Sequence, residues 1–317
     1  MTTLRHSEDN PAPDIHSDGF VETPDGFSIR YALFRTAEHP VKGTVVVLQG
    51  RNEYIEKYFE TAADLARLGF DVATFDWRGQ GGSQRFFKRS DSGYVDSFDQ
   101  YAADLETVFE EIVLPDCRPP FFILAHSMGG LVALQVAPSM VNRVRRMVLT
   151  APFLGLPASP LKQSLSRMVT RAMGLLGLGN LHVSGGSAER MRKPFEVNSL
   201  TSDPRRYARN ISIPASQTDL ALGGPSATWM TAVFDAIDRV TDPAHMARTT
   251  IPTLVFMAGA ERVVSNPAIL LLATNLRSAS LLTIDGARHE MLHEADVYRE
   301  QLLAALAAFI PGSGEVA

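Results

Sequence analysis

The sequence predicts an α/β fold class: a mostly parallel central sheet with helices on both faces, interrupted by an inserted helical cap. Short apolar runs of strand length alternate with segments of helical length and periodicity through most of the chain, and such alternation builds parallel units with helices on both faces of one sheet. The alternation stops between residues 153 and about 246, where no clear strand pattern is visible and helix-compatible segments are punctuated by glycine and proline. Residues able to do chemistry also fall just past the C-terminal ends of predicted strands, the rim at which open α/β sheets bind ligands.

The elements follow in order. Residues 1 to 18 carry Glu8, Asp9, Asp14 and two prolines without an apolar core of their own; they are expected to be a flexible tail and not a signal peptide. Strands are expected near 28 to 34, 44 to 49, 70 to 75, 121 to 125 and 146 to 150, with helices near 55 to 68, 97 to 112 and 128 to 138 between or after them. Beyond the cap, strands near 252 to 257 and 280 to 284 precede helices near 266 to 274 and 295 to 309. The core is therefore expected over 19 to 152 and 247 to 317, and the cap over 153 to 246.

Ala125-His126-Ser127-Met128-Gly129 follows the run Phe121-Phe122-Ile123-Leu124 and precedes a helix-compatible stretch. A serine on such a strand-turn-helix has its hydroxyl lifted above the sheet edge, with the Met128 N–H and the helix N-terminus aimed at developing negative charge. A serine hydroxyl needs a general base and a group to orient that base. Thr253-Leu254-Val255-Phe256-Met257 leads to Glu261, and Leu281-Leu282-Thr283-Ile284 leads to His289. The order Ser127, Glu261, His289 matches the nucleophile, acid, base order of one hydrolytic fold. An oxyanion hole needs a second backbone donor; Gly50, after the strand Thr44-Val45-Val46-Val47-Leu48, permits close approach, and the amides of Arg51 and Met128 are assigned to the hole.

With these residues in place, the chain resembles an α/β-hydrolase of the monoacylglycerol lipase and bacterial lysophospholipase branch, of the serine aminopeptidase S33 type. Asp76-Trp77-Arg78-Gly79-Gln80-Gly81-Gly82-Ser83 resembles the family turn D-x-R-G-x-G-x-S, and Gly93-Tyr94-Val95-Asp96-Ser97-Phe98 its entry into the helix before the nucleophile strand. Ala260-Glu261-Arg262 and Gly286-Ala287-Arg288-His289 are similar to its acid and histidine loops, and Leu48-Gln49-Gly50-Arg51-Asn52-Glu53 leans toward the lysophospholipases. Ala125 replaces the first glycine of G-x-S-x-G, Gln49 the histidine usual before the oxyanion glycine, and Glu261 the usual aspartate. The resemblance implies a serine hydrolase that cleaves the ester of a single-acyl-chain lipid, a lysophospholipid or monoacylglycerol, without metal or organic cofactor. A broad-specificity carboxylesterase or thioesterase acting on small substrates is the alternative, since the core chemistry is shared.

Two further readings come from other classes. His289-Glu290-Met291-Leu292-His293 is a literal H-E-x-x-H, which on a helix binds zinc with two imidazoles. Its first histidine follows a strand and a glycine turn, however, and only 24 residues remain after His293. Glu290 and His293 are instead read as a helix N-terminal carboxylate and a nearby polar side chain. A non-catalytic binding module is expected to have lost a triad or elbow residue, and here each position has a competent side chain.

Composition bounds the partners. The 317 residues are 45% apolar and 21% charged, with net charge −5, ordinary for a globular enzyme and opposed to nucleic-acid binding. The single cysteine, Cys117, excludes an intramolecular disulfide, which fits a reducing compartment. No apolar stretch approaches the roughly 18 to 20 residues needed to cross a bilayer. A cytoplasmic protein is expected, with peripheral contact to the inner face of the membrane. That contact is assigned to the cap, where residues 160 to 210 hold nine basic residues against three acidic ones. Leu161, Leu165, Met168, Val169, Ala172 and Leu175 share one helical face flanked by Lys162, Arg167 and Arg171, a pattern that either packs the cap onto the core or meets an anionic lipid surface.

Overall fold

Strand β1 (His16–Glu22) pairs antiparallel with β2 (Ser28–Phe34), which pairs antiparallel with β4 (Asp71–Phe75). From there the sheet is parallel, through β3 (Thr44–Leu48), β5 (Phe121–His126), β6 (Val144–Thr150), β7 (Thr253–Ala258) and β8 (Ala279–Ile284). In this computed structural model the described residues are 2–5, 7, 9–14, 16–87, 92–188 and 193–311. Every residue of β3, β4 and β5 is buried, which is why these strands read as unbroken apolar runs: helices cover both of their faces.

The helices are α1 (Phe59–Arg67), α2 (Phe98–Val108), which continues through a π-helical turn into α3 (Leu114–Asp116), and α4 (Met128–Met140). Next come α5 (Pro160–Leu175), α6 (Pro204–Ser216), α7 (Ala227–Val240), α8 (Pro243–Arg248), α9 (Asn266–Asn275) and α10 (Asp296–Phe309). Several start on a capping side chain followed by proline: Ser159 accepts from the Lys162 N–H, and Asp203 and Asp242 accept from amides in the first turns of α6 and α8. The cap satisfies an orphan amide, and a proline at the helix start has no N–H to lose.

Chain order and sheet order diverge at β3, whose successor β4 lies on one side and β5 on the other. That divergence is a topological switch point, and it leaves a crevice at the C-terminal ends of β3 and β5. The loops after β3, β5, β7 and β8 all end at this edge.

Three expectations are corrected. A strand not foreseen in the sequence, β1, lies at the sheet edge, because His16-Ser17-Asp18-Gly19-Phe20-Val21-Glu22 is too polar to announce itself and is paired by β2 residues beyond a turn. The described part of residues 1 to 18 is bound and not free: Leu4 is 4% exposed, the Arg5 N–H donates to Glu56 at 2.9 Å, and Asn10 donates to the Glu56 carbonyl at 2.8 Å. The end of the expected cap belongs to the sheet-covering layer, since α7 buries Trp229, Val233 and Phe234 against the layer that holds α2 and α4.

The apolar stripe on α5 faces outward. Leu161 is 79% exposed, Met168 63% and Leu175 90%, while Thr170 is the helix's one buried residue. Arg167 is turned to α7, 2.6 Å from Asp238 and over the Phe234 ring, and Arg171 lies 2.8 Å from Asp235. Arg206 pairs with Glu60, Asp203 and Asp296, and Arg209 with Glu60. Much of the basic excess is thus neutralised by acids from other segments; Glu189, Arg190 and Arg192 lie outside the described residues.

Candidate active site

Ser127 follows β5 with φ 50° and ψ −111°, a conformation that strains any residue with a Cβ. The surroundings enforce it. The Ser127 N–H donates to Thr150 at 3.0 Å, and its carbonyl accepts from Leu131 at 3.2 Å and Phe153 at 3.0 Å. Glycine after the turn has a steric cause: a Cβ on Gly129 would collide with the carbonyl oxygens of Leu48 and Gln49, and one on Gly130 would come within 2.9 Å of Pro152. Ala125, the departure from G-x-S-x-G, sits fully buried.

The side chains of Ser127, His289 and Glu261 come together. The Ser127 hydroxyl lies 3.2 Å from His289 Nε2, and Glu261 Oε2 lies 2.8 Å from His289 Nδ1. Glutamate fits where aspartate is usual because it folds back on its own loop: Oε1 accepts from the amides of Arg262, Val263 and Val264 at 2.9, 2.6 and 3.2 Å. Burial pushes this carboxyl toward neutrality, but the His289 hydrogen bond and the loop amides outweigh it and hold the pKa below its ordinary value. An ionised Glu261 keeps the proton on Nδ1, leaving the Nε2 lone pair to the hydroxyl.

Gly50 follows β3, and its amide donates to Glu53. A Cβ there would lie 2.7 Å from Glu53 Oε2 and 3.0 Å from the His126 ring, so only glycine fits. Arg51 is next in the chain. Met128 opens α4, where the first amides have no intrahelical acceptor. Since Leu48 pairs with Ala125, both amides lie at neighbouring strand ends. Gln49 turns its side chain into the sheet, toward Thr74, and lends its carbonyl to Trp77 Nε1 at 3.0 Å.

The turn after β4 is the scaffold of this loop. Asp76, buried against Arg30, accepts from the Ile55 amide at 2.9 Å, and Gln80 accepts from the Asn52 amide at 2.7 Å. Ser83 donates to the Asp76 carbonyl at 2.6 Å, and Arg78 is clamped by Asp104 and Asp25. The D-x-R-G-x-G-x-S turn therefore holds the Gly50–Ile55 backbone in place through the Asn52 and Ile55 amides.

Sequence reasoning did not foresee the charged floor of the site. Lys57 lies 2.6 Å from Glu53 and 2.7 Å from Glu290, all three buried. Burial opposes every charge here. The shared ammonium overcomes it for Glu53, whose pKa is lowered, whereas burial and the neighbouring Glu53 push Glu290 up. Glu290 does precede a short 3₁₀ turn (Met291–His293), as a helix N-terminal carboxylate would, but its partner is Lys57. His126 packs against His289 with ring centres 4.8 Å apart, and burial lowers its pKa to about 4. Only the E-Y-I-E-K spacing, which places Glu53 and Lys57 one helical turn apart, hinted at half of this bridge.

The H-E-x-x-H string does not lie on an α-helix. His289 faces Ser127 and Glu261, while His293 packs edge-on to Tyr58 at 5.1 Å. Among the described residues no cluster of three His, Cys, Asp or Glu side chains is arranged to hold a metal ion. Cys117 is buried, and burial raises its thiol to about 11.

Above the site lies a cavity of about 540 Å³, walled by Phe153, Leu156, Leu200, Ile211, Trp229 and Val264. That is room for one extended small molecule. Among the described residues no helix is long and apolar enough to cross a membrane.

The family model described as serine aminopeptidase, S33 matches residues 39 to 296. Lysophospholipase L2 of Escherichia coli is 33% identical over 303 residues, covering 90% of this chain and 84% of its own; a probable lysophospholipase L2 of Haemophilus influenzae is 31% identical over 86% of this chain and 85% of its own. The crystal structure of a Paleococcus ferrophilus monoacylglycerol lipase superposes with a TM-score of 0.70 at 23% identity, covering 89% of this chain and 98% of that one. A serine, glutamate and histidine joined at the rim of an α/β-hydrolase sheet, in a chain so matched, mean that this protein is a hydrolase and belongs to the serine aminopeptidase S33 family.

Proposed function

We propose that the protein hydrolyses the carboxylic ester of a single-acyl-chain lipid, a lysophospholipid or monoacylglycerol, through an acyl-enzyme. The observation that carries this reading is the Ser127–His289–Glu261 hydrogen-bonded chain opening into an apolar cavity of about 540 Å³. Its relatives' names, lysophospholipase and monoglyceride lipase, support the same substrate class.

In this mechanism His289 Nε2 takes the Ser127 proton as Oγ attacks the ester carbonyl. Glu261 stabilises the imidazolium, and the Arg51 and Met128 amides receive the oxyanion. Collapse expels the alcohol, which leaves with the proton from His289. Water, deprotonated by the same imidazole, then attacks the acyl-enzyme and the fatty acid departs. The apolar walls hold the acyl chain.

The exposed face of α5 supports contact with a lipid surface. With Arg167 and Arg171 neutralised by Asp238 and Asp235, the attraction assigned here is burial of Leu161, Leu165 and Met168 in the interface and not charge.

The test is fatty-acid release from micellar lysophosphatidylcholine and from monoacylglycerol by wild type and Ser127→Ala, with and without a chelator. Release that is lost in the variant and indifferent to the chelator is expected. Cleavage of a short-chain ester alone would move the substrate to small esters; chelator-sensitive release surviving in Ser127→Ala would overturn the serine mechanism.

A further inference from the structure

Ester hydrolysis at this site uses the Arg51 amide and leaves the Arg51 side chain without a task. Arg51 is half-buried, and the fully buried arginines nearby have carboxylates: Arg30 has Glu56 and Asp76, and Arg78 has Asp25 and Asp104. Arg51 has none within 4.0 Å among the described residues, and its Nε is buried without a hydrogen-bond partner. Burial lowers its pKa to about 10, with only Tyr101 acting against the shift, so the guanidinium stays cationic at neutral pH. A half-buried cation with no carboxylate beside it among the described residues is costly.

The guanidinium is nonetheless held in place. It stacks over Trp229 at 5.2 Å and donates through Nη2 to the Gly223 carbonyl. Gly93 has no side chain there, and a Cβ would strike Nη2. Trp229 is fixed by its bond to the Tyr101 hydroxyl at 3.2 Å and stacks against Phe153, whose amide holds the Ser127 carbonyl. Arg51, Trp229 and Ser127 border the same cavity. The geometry supplies a fixed, planar cation with an unpartnered Nε–H beside the cavity that Ser127 lines, and no counter-ion from the described residues.

We infer that the Arg51 side chain is a phosphate-binding subsite, which takes the phosphodiester of a lysophospholipid headgroup and selects such lipids over uncharged monoacylglycerols. This rests on the lipid-ester reading of the site and narrows it. A planar guanidinium matches phosphate oxygens, and the anion supplies the counter-charge that Arg51 lacks among the described residues, since the cavity's Glu53 and Glu290 are paired with Lys57.

The experiment compares binding of two non-hydrolysable ethers, 1-O-octyl-glycerophosphocholine and 1-O-octylglycerol, to wild type, Arg51→Met and Gly93→Ala by calorimetry, with inorganic phosphate as a third probe. Arg51→Met is expected to weaken the phosphorylated ether at least about tenfold relative to the uncharged one, the loss typical of a charge-assisted hydrogen bond. Gly93→Ala, which displaces the guanidinium, is expected to lower the same ratio. Because the charge has no carboxylate partner among the described residues, Arg51→Met should leave the thermal midpoint of the free protein unchanged or raised. A ratio unmoved by both variants would overturn the subsite. Arg51-dependent binding of inorganic phosphate, with no preference between the ethers, would overturn the headgroup assignment in favour of free phosphate. Failure to hydrolyse either ester lipid would remove the lipase reading, while the binding ratio of the ethers would still stand or fall on its own.

Discussion

At the sheet rim Ser127 is held by three backbone hydrogen bonds and a left-handed turn, whereas on α5 Leu161, Met168 and Leu175 face solvent and two surface ion pairs tie the helix to α7. One region stores strain and permits a single geometry. The other leaves apolar area uncovered, which a globular protein avoids unless the area has a use. On the proposed function the difference separates two jobs: the rim would break the ester bond, and the exposed face of α5 would meet the lipid.

Substitutions at the rim should therefore act on kcat wherever the substrate comes from. Ser127→Ala or His289→Ala is expected to lower kcat by roughly 10⁵- to 10⁶-fold on both a short-chain soluble ester and a micellar lipid. A loss confined to the lipid would break the comparison. Glu261→Gln removes the charge that fixes the His289 tautomer, and stopped assays should read a loss of roughly 10³- to 10⁴-fold in kcat.

Acid should loosen the rim before the cap. His126 and His293 are kept neutral by burial, His126 down to about 4 from an ordinary 6.5. The unfolded chain binds the His126 proton near 6.5 and the folded one does not, so its contribution is complete above 6.5 and is lost as pH falls toward 4, with His293 acting in the same direction. For His126 the full loss is about 3 kcal/mol. Thermal melts at descending pH should show this slope, shallower in His126→Asn; equal slopes would remove His126 as its cause.

On the cap, replacing Leu161, Leu165 and Met168 together by serine is expected to reduce activity on micelles or vesicles by several-fold to about tenfold, while short-ester turnover stays level. Equal losses on both would mean that the face packs against something in the working enzyme. The smallest effect belongs to Arg171→Ala. Its pair with Asp235 is more than half exposed on both sides, so the melting midpoint should move by no more than about 2 °C.

Much of the rim is legible in the amino-acid sequence. Thr44 to Leu48, Phe121 to Leu124 and Thr253 to Met257 are apolar runs whose length and composition mark buried strands, and Ser127 and Glu261 follow two of them, with His289 past a further strand. These are local signals. The Lys57 bridge between Glu53 and Glu290 is not legible there, because it joins α1's approach to the loop after β8 across the site. The bound N-terminal segment is hidden for the same reason, since Arg5 and Asn10 find Glu56 only in the fold.

Neighbours in the chain are enough to set the order of strands and helices, the serine turn, and the acid and histidine loops, because backbone propensity, capping and glycine placement act over a few residues. Contacts between distant segments set the rest: the α5 stripe points outward, its arginines are neutralised by α7, and Arg51 rests on Trp229 with no carboxylate beside it among the described residues. A helical periodicity says that one face is apolar, and a basic count says that charge is present. Which way the face turns, and which charges are cancelled, depends on residues that only folding brings within a few ångströms.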